Sequence, residues 1–416
     1  MPSQRRYLAD TGQLLWPAPA RITFGRRPRG PHARVRSYAV VPTPANPKLL
    51  VPSRPNRTAA QAVRSYNTGG SRRQRAMLAV LAAGLRVGLG SVYPYRMHVT
   101  DALGAERDDI EQRLSEICGR PVRVALFVTP PRAVRKPVLQ VIDERGCAVG
   151  YAKVGVDAFT RSLLTAEAAA VQRLTGSELT SIGLPQILHH GDWRGNGLLL
   201  QSALRRGEPA HSDRPEVARG ADELARALGV VTSPLTASSY WQQFRRRLRA
   251  LPAGAAAQRI ERSAEVLATR AGDVSVEFGC SHGDWAPWNM TIAGDRLLVW
   301  DWEKFACDVP VGFDAVHFAV QESVVLHRAD IVEAFARAHA QLDRKLPGDL
   351  NGAVGAAGAA PAELGVWLYA LEIAVRYLED REAERGRTRM SRLDDWLDPV
   401  LSVQETRRRP AAGARR

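Results

Sequence analysis

The stretch between Cys280 and Glu303 restricts the folds open to this chain more than any other. Cys280-Ser-His-Gly-Asp-Trp-Ala-Pro-Trp-Asn289 sets His282, Asp284 and Asn289 in an H-x-D-x-x-x-x-N spacing. The short apolar run that follows, Leu297-Leu-Val-Trp300, ends at Asp301-Trp-Glu303. A carboxylate on a rigid loop can accept a proton from an attacking hydroxyl, while an amide oxygen and a second carboxylate can hold a divalent cation. That division assigns Asp284 as base and Asn289 and Asp301 as metal ligands. His282 would anchor the loop by hydrogen bonding. Transfer of a phosphoryl group from a nucleotide requires this set of groups.

His282-Gly-Asp-Trp-Ala-Pro-Trp-Asn289 followed by Trp300-Asp-Trp-Glu303 resembles the aminoglycoside phosphotransferase/choline kinase-like family, the small-molecule branch of the protein-kinase-like fold. Members carry H-G-D-hydrophobic-x-P-x-N and then an apolar strand ending in Asp-hydrophobic-Glu. The resemblance covers residues 122–400. It implies an α+β, bilobal protein-kinase-like fold with an antiparallel-sheet N-lobe and a mainly helical C-lobe, using ATP and Mg²⁺. Lys153 in Tyr151-Ala-Lys-Val-Gly155 matches the family's phosphate-contacting lysine, and Glu167 in Leu164-Thr-Ala-Glu-Ala-Ala-Ala170 matches its ion-pair partner. A strand lysine reaches phosphates best when a carboxylate fixes its direction. Gln201-Ser-Ala-Leu204 stands where the fold binds the adenine edge through backbone groups, which makes Ser202 a nucleotide-binding candidate. Asp314 in Asp308-Val-Pro-Val-Gly-Phe-Asp314 would brace the catalytic loop, and Glu303 would support the metal site. One departure stands out. Thr129-Pro-Pro-Arg-Ala-Val-Arg-Lys136 holds no glycine where protein kinases cover the phosphates with a glycine-rich loop. Arg132, Arg135 and Lys136 are the phosphate-contact candidates there.

Charge is the second informative feature. The chain carries a formal +15, yet residues 1–100 hold seventeen Lys or Arg against the single acid Asp10, a surplus of sixteen. The remainder is therefore nearly neutral. Net charge speaks to partners rather than fold, and an anionic partner is expected for the N-terminal region. No apolar run reaches the ~18 residues of a membrane span, and Arg5, Arg6 and Asp10 stand where a signal-peptide core would begin. Four cysteines, Cys118, Cys147, Cys280 and Cys307, without C-x-x-C spacing read as reduced and mostly buried thiols. A cytoplasmic protein is expected, with the basic region able to meet the inner membrane surface.

Four segments follow: a basic N-terminal extension or accessory domain (1–120), the N-lobe (121–204), the helical C-lobe with the catalytic loop (205–406), and a basic disordered tail (407–416). Residues 1–36, rich in Arg, Pro and Gly, are expected to hold little regular structure. Ser37–Pro42 and Lys48–Pro52 read as hairpin strands, and Ala76–Gly90 as a buried helix, with a basic membrane-surface element as the alternative. Val122–Val128, Val138–Ile142 and Ala148–Val154 read as consecutive antiparallel strands, and Ser162–Thr175 as a helix with an apolar stripe. Leu184–Leu188 and Gly197–Ser202 read as the last two N-lobe strands, joined by a polar loop. Helices are expected at Val217–Val231, Tyr240–Leu251, Arg259–Ala271 and Glu363–Glu379. The run Arg245-Arg-Arg-Leu-Arg249 reads as a solvated face, and residues 351–360 as a small-residue linker.

These readings point to an ATP-dependent phosphotransferase acting on the hydroxyl of a small molecule: a sugar, an amino alcohol or related metabolite, a glycan or an antibiotic. A polycationic antibiotic would need a carboxylate-rich pocket. Glu372, Glu379, Asp380 and Glu382 are mixed with Arg376, Arg381 and Arg385, so a metabolite hydroxyl is favoured. An anionic lipid or lipid-linked glycan is the partner expected of the basic region. Nucleic acid ranks lowest, since aromatic interleaving is thin and no reading motif appears. The alternative is a catalytically inactive kinase-fold scaffold that binds an anionic partner through the basic region. A scaffold, however, needs none of Lys153, Glu167, Asp284, Asn289 or Asp301.

Overall fold

The computed structural model of the protein describes residues 4–25, 28, 33–64, 72–102, 108–128, 136–205, 207–345, 361–383 and 393–406. Arg132, Arg135, the 351–360 linker and the 407–416 tail lie outside them. The chain divides into two compact units, one of residues 1–168 and 185–204, the other of residues 169–184 and 205–416.

In the first unit α1 (Gln4–Leu15) leads through β1 (Arg21–Phe24) to the hairpin β2 (Ala33–Thr43) and β3 (Asn46–Pro52). Then come α2 (Asn56–Arg64), α3 (Arg72–Arg86), β4 (Arg96–Ala102), α4 (Ile110–Cys118), β5 (Val122–Phe127), β6 (Val138–Asp143), β7 (Ala148–Gly155) and α5 (Ala158–Thr175). The two-residue β8 (Ile182–Gly183) belongs to the second unit, and the chain returns for β9 (Ile187–Trp193) and β10 (Asn196–Ser202). The nine strands form one sheet in the order β1-β4-β2-β3-β5-β6-β7-β10-β9, antiparallel throughout.

Strand side chains alternate between faces, and this sheet buries both. Tyr38, Val40, Leu50, Val124, Leu126 and Val154 pack with Leu8 and Leu15 of α1 and Ile110 and Leu114 of α4. The intervening residues Ala39, Val41, Leu49, Val51, Ala125 and Ile142 pack with Ala59 and Val63 of α2 and Ala82 and Leu85 of α3. Farther along the sheet, Leu199 meets Leu164 and Ala168 of α5.

Three expectations change here. Residues 1–36 do hold regular elements, because Leu8 and Leu15 recur at helical spacing and bury against the sheet. A boundary at residue 120 cuts through one sheet, since β3 pairs with β5 at Leu49–Phe127 and Leu50–Leu126. A buried ion cluster ties the same regions together. Arg36 meets Asp101 at 2.8 Å, Asp109 at 2.7 Å and Glu111 at 3.0 Å, and Glu111 also accepts from Arg123 and Tyr38. Finally, the loop expected after Leu188 is the body of β9, an edge strand with His190 and Asp192 at exposed positions.

The second unit is mainly helical. It contains α6 (Pro215–Arg226), β11 (Val231–Pro234), α7 (Ser239–Ala250), α8 (Ala255–Ala271), β12 (Ser275–Ser281), β13 (Met290–Ala293), β14 (Arg296–Val299), β15 (Ala306–Pro310), α9 (Phe313–Val325), α10 (Ile331–Lys345), α11 (Pro361–Ala383) and α12 (Leu393–Thr406). Its core is drawn from α7 to α12, with Phe244, Leu267, Phe313, Val320, Phe335, Leu371, Trp396 and Leu401 among the buried side chains. Two small sheets, β11-β12-β15 and β13-β14-β8, frame the loop between β12 and β13. Among the described residues no helix is long and apolar enough to cross a membrane. The α+β class expected from the sequence stands.

Candidate active site

Lys153 lies on β7 opposite Leu199 of β10. The two share the sheet face on which α5 packs, so α5 can present a side chain to the lysine from one turn away. Glu167 is that side chain. Lys153 Nζ donates to both Glu167 carboxylate oxygens at 2.7 Å, with the glutamate fully buried. A bidentate charge-assisted pair of this kind fixes the ammonium's direction. Lys136 stands just before β6. Ser202 ends β10, where its amide donates to the Gln186 carbonyl at 2.8 Å and its hydroxyl accepts from the Gln186 amide at 2.9 Å. Ala203 N likewise donates to Val149 O at 3.1 Å. The amides of the expected adenine-binding segment at 202 and 203 are therefore engaged within this unit.

In the second unit β12 pairs with β15, and the loop between β12 and β13 carries the motif. Gly283 adopts φ +77°, and a Cβ there would stand 2.5 Å from the Lys304 carbonyl oxygen. Glycine is the residue that fits both demands. Asp314, in the first turn of α9, accepts at Oδ2 from the His282 amide at 2.7 Å. Its Oδ1 accepts from Ser281 Oγ at 2.8 Å and from the Gly283 amide at 3.2 Å.

His282 is fully buried against the rings of Trp285 and Trp302. Burial lowers its pKa, and the neutral ring bonds on both sides. Nε2–H donates to Trp300 O at 3.1 Å, while Nδ1 accepts from the Asp284 amide at 3.2 Å. The ring thus links the start of the loop to the strand end that precedes Asp301. From below, Arg376 of α11 donates to Gly283 O at 3.0 Å and to Glu372 at 2.7 Å. Trp285 is buried, whereas Trp288 is half-buried.

Asp284 has a partner on each oxygen. Asn289 Nδ2 donates to its Oδ2 at 3.2 Å and to its backbone carbonyl at 2.9 Å. His317 Nε2 donates to its Oδ1 at 3.1 Å, and His317 Nδ1 accepts from Tyr369 Oη at 2.7 Å. Burial pushes the Tyr369 hydroxyl well above the usual phenol value, so it keeps its proton beside His317 Nδ1. Burial also pushes the Asp284 carboxyl up, but the His317 hydrogen bond and the Lys304 ammonium outweigh it and hold the group well below the usual carboxylate range. His317 and Tyr369 carried no sequence signal of their own. They sit three residues after Asp314 and deep within α11, at positions that read as ordinary helix interior.

Asn289 commits its amide nitrogen to Asp284, which leaves the amide oxygen as the atom for a cation. Asp301 adopts the left-handed conformation, φ +70° and ψ +54°, which a short polar side chain tolerates. It caps the short turn Trp302–Lys304, and its carboxylate and that of Glu303 bring oxygens within 4.8 Å of one another. Oxygen donors on two carboxylates and an amide suit Mg²⁺.

No protein-family model and no curated protein matches the chain. Among solved structures, aminoglycoside phosphotransferase APH(4)-Ia overlaps 71% of this chain and 97% of its own, with 12% identity and a TM-score of 0.48. A putative fructosamine-3-kinase from Haemophilus somnus 129PT overlaps 71% and 96%, with 16% identity and a TM-score of 0.40. Amicoumacin kinase overlaps 71% and 93%, with 12% identity and a TM-score of 0.42. The chain's own residues say more than these overlaps. A strand lysine fixed by a helix glutamate in one unit, and the His282–Asn289 loop followed by Asp301 in the other, make it similar to the aminoglycoside phosphotransferase/choline kinase-like family.

Proposed function

We propose that the chain is an ATP-dependent phosphotransferase that moves the γ-phosphoryl group to a hydroxyl of a small molecule. One observation carries this reading. Asp284 is an ionised carboxylate held by His317 and Asn289, and Asn289, by spending its amide nitrogen there, keeps its amide oxygen for a cation. In this reading Asp284 orients the acceptor hydroxyl and takes its proton. Asn289 and Asp301, with Glu303 in support, would hold Mg²⁺, which supplies charge neutralisation at the phosphates when bound. Lys153, directed by Glu167, would steady the phosphates, and His282 and Asp314 keep the loop in shape.

The acceptor follows from charge. Glu372 and Glu379 of α11 are each paired to arginine, Arg247 with both and Arg376 with Glu372. They are thus neutralised before any polycation arrives. A sugar, an amino alcohol or a related metabolite is favoured over a polycationic antibiotic, and such a hydroxyl carried on a lipid-linked glycan is a further candidate.

The test is calorimetry of ATP binding with and without Mg²⁺, on the wild type and on Asp301→Asn. Mg²⁺-dependent binding that the variant loses supports the reading, and a screen of hydroxyl metabolites with Asp284→Asn as the inactive control then finds the acceptor. A wild type that binds no nucleotide overturns it and leaves the inactive scaffold in its place.

A further inference from the structure

The layer formed by α2 and α3 has two sides. The inner side packs on the sheet through Ala59, Ala62 and Val63 of α2 and Ala82 and Leu85 of α3, with Leu78 and Leu81 beside them. On α3 those inner positions recur at i, i+3, i+4 and i+7, an ordinary buried stripe. The opposite side breaks the ordinary pattern. Met77 is 64% exposed, Val80 74% and Val87 78%, and Leu89 and Val92 just beyond the helix are 54% and 72% exposed. A helix of a globular protein normally turns charged residues outward on that side. Here five exposed apolar side chains lie within sixteen residues, where single exposed ones would be unremarkable.

The rim of this apolar stripe is basic. α2 buries Thr58, Ala59, Ala60, Ala62 and Val63, so Arg57 and Arg64, two turns apart, fall on its outer side and are exposed. Arg86 is exposed at the end of α3. Both helices pack on the same sheet face, so their outer sides look the same way. Residues 33–100 contain no acidic residue at all. Asp10 belongs to α1, which packs on the other face of the sheet. The turn that carries Glu144 packs against the Arg57 end of α2, where Gly146 approaches the Arg57 backbone.

We propose that the outer side of α2 and α3 binds an anionic lipid membrane surface, with Met77, Val80, Val87, Leu89 and Val92 entering the headgroup boundary and Arg57, Arg64 and Arg86 meeting the lipid phosphates. Charge complementarity selects the occupant. An apolar stripe bordered by arginines, without a bordering acid in its own segment, is the composition of an interfacial element. A nucleic acid would match the arginines but leave the aliphatic stripe in water, because base recognition on a single strand uses aromatic platforms. A second copy of the chain would set arginine against arginine across a two-fold axis.

The test is co-sedimentation of the full chain with vesicles of phosphatidylcholine alone and with vesicles of equal parts phosphatidylcholine and phosphatidylserine. It needs no turnover, so it stands apart from the proposed activity. The wild type is expected to pellet with the anionic vesicles and stay in solution with the neutral ones. Met77→Ser/Val80→Ser/Val87→Ser and Arg57→Gln/Arg64→Gln/Arg86→Gln change only exposed positions, and an unaltered thermal melt verifies their folds. Each arginine near an anionic surface is worth about fivefold in partitioning, so the arginine triple variant should bind on the order of a hundredfold more weakly. The serine triple variant should also lose binding. Vesicle binding by either variant equal to the wild type overturns the proposal, as does a wild type that ignores anionic vesicles. Two further outcomes also overturn it. One is a concentration-dependent dimer abolished by the serine substitutions, which assigns the face to a second copy. The other is tighter binding to an oligonucleotide that only the arginine substitutions weaken.

Discussion

Asp284 is gripped by an imidazole and an amide, and its low affinity for protons follows mainly from the first. Removing the His317 donor should let burial reassert itself and raise the Asp284 pKa. The acid limb of the kcat/KM profile should therefore move to higher pH in His317→Leu, with kcat lowered by about 10- to 100-fold, the worth of a hydrogen bond to a charged acceptor. His317→Gln keeps an N–H donor and should retain the wild-type limb. An unchanged profile in His317→Leu would show that Asp284 is governed by its other neighbours. Gly283 makes a second prediction at this scale. Gly283→Ala must place a Cβ 2.5 Å from the Lys304 carbonyl oxygen at φ +77°. A loss of ~2 kcal/mol or more is expected by chemical denaturation.

At the scale of elements, the loop rests on α11, and α11 is fastened to α7. Arg247 of α7 donates to Glu372 at 2.8 Å and to Glu379 at 2.7 Å, and Tyr240 donates to Glu372 at 3.3 Å. The run Arg245–Arg249, expected as a solvated face, thus has Arg246 and Arg249 exposed while Arg247 crosses to another helix. Burial pushes the Glu372 carboxyl up, but Arg376 and Arg247 outweigh it and lower its pKa. A lowered pKa means that this stabilisation is complete above the usual carboxylate range and lost as pH falls through the depressed value. Glu372→Gln leaves two arginines without their shared acceptor, and a loss of about 3–5 kcal/mol is expected in urea denaturation at neutral pH. The variant should also lose less stability than the wild type on acidification.

This network also marks the limit of what the sequence discloses. The pairing of Lys153 with Glu167 was legible through the family resemblance, and the closeness of Asn289 to Asp284 through the H-x-D-x-x-x-x-N spacing. The strands β5 to β7 and the helix α5 were legible because alternation and helical period are local. Arg247 with Glu372 and His317 with Asp284 join residues 125 and 33 positions apart, and no local pattern announces such a pairing. Cys147 is another miss. It is exposed, while Cys280 is buried and its thiol is pushed up to about 12, chiefly by burial. Native alkylation should accordingly modify Cys147 and spare Cys280.

For the molecule as a whole, the basic N-terminal region supplies four strands of a nine-stranded sheet rather than an appendage. A chain truncated to begin at Asp108 would expose the β5 edge and leave Glu111 without Arg36 and Tyr38. We expect it to aggregate or to lose cooperative melting in calorimetry; a sharp transition like that of the full chain would mean that β5, β6, β7, β9 and β10 suffice alone. The Asp314 carboxylate has a consequence that reaches beyond its hydrogen bonds. Backbone amides in loops ordinarily trade their protons with solvent quickly, because nothing holds them closed. The amides of His282 and Gly283 lie between strands, yet both are shut against one buried carboxylate. In deuterium these two should exchange as slowly as their neighbours in β12, so a map of the molecule by exchange rate alone would draw the centre of the loop as part of the core.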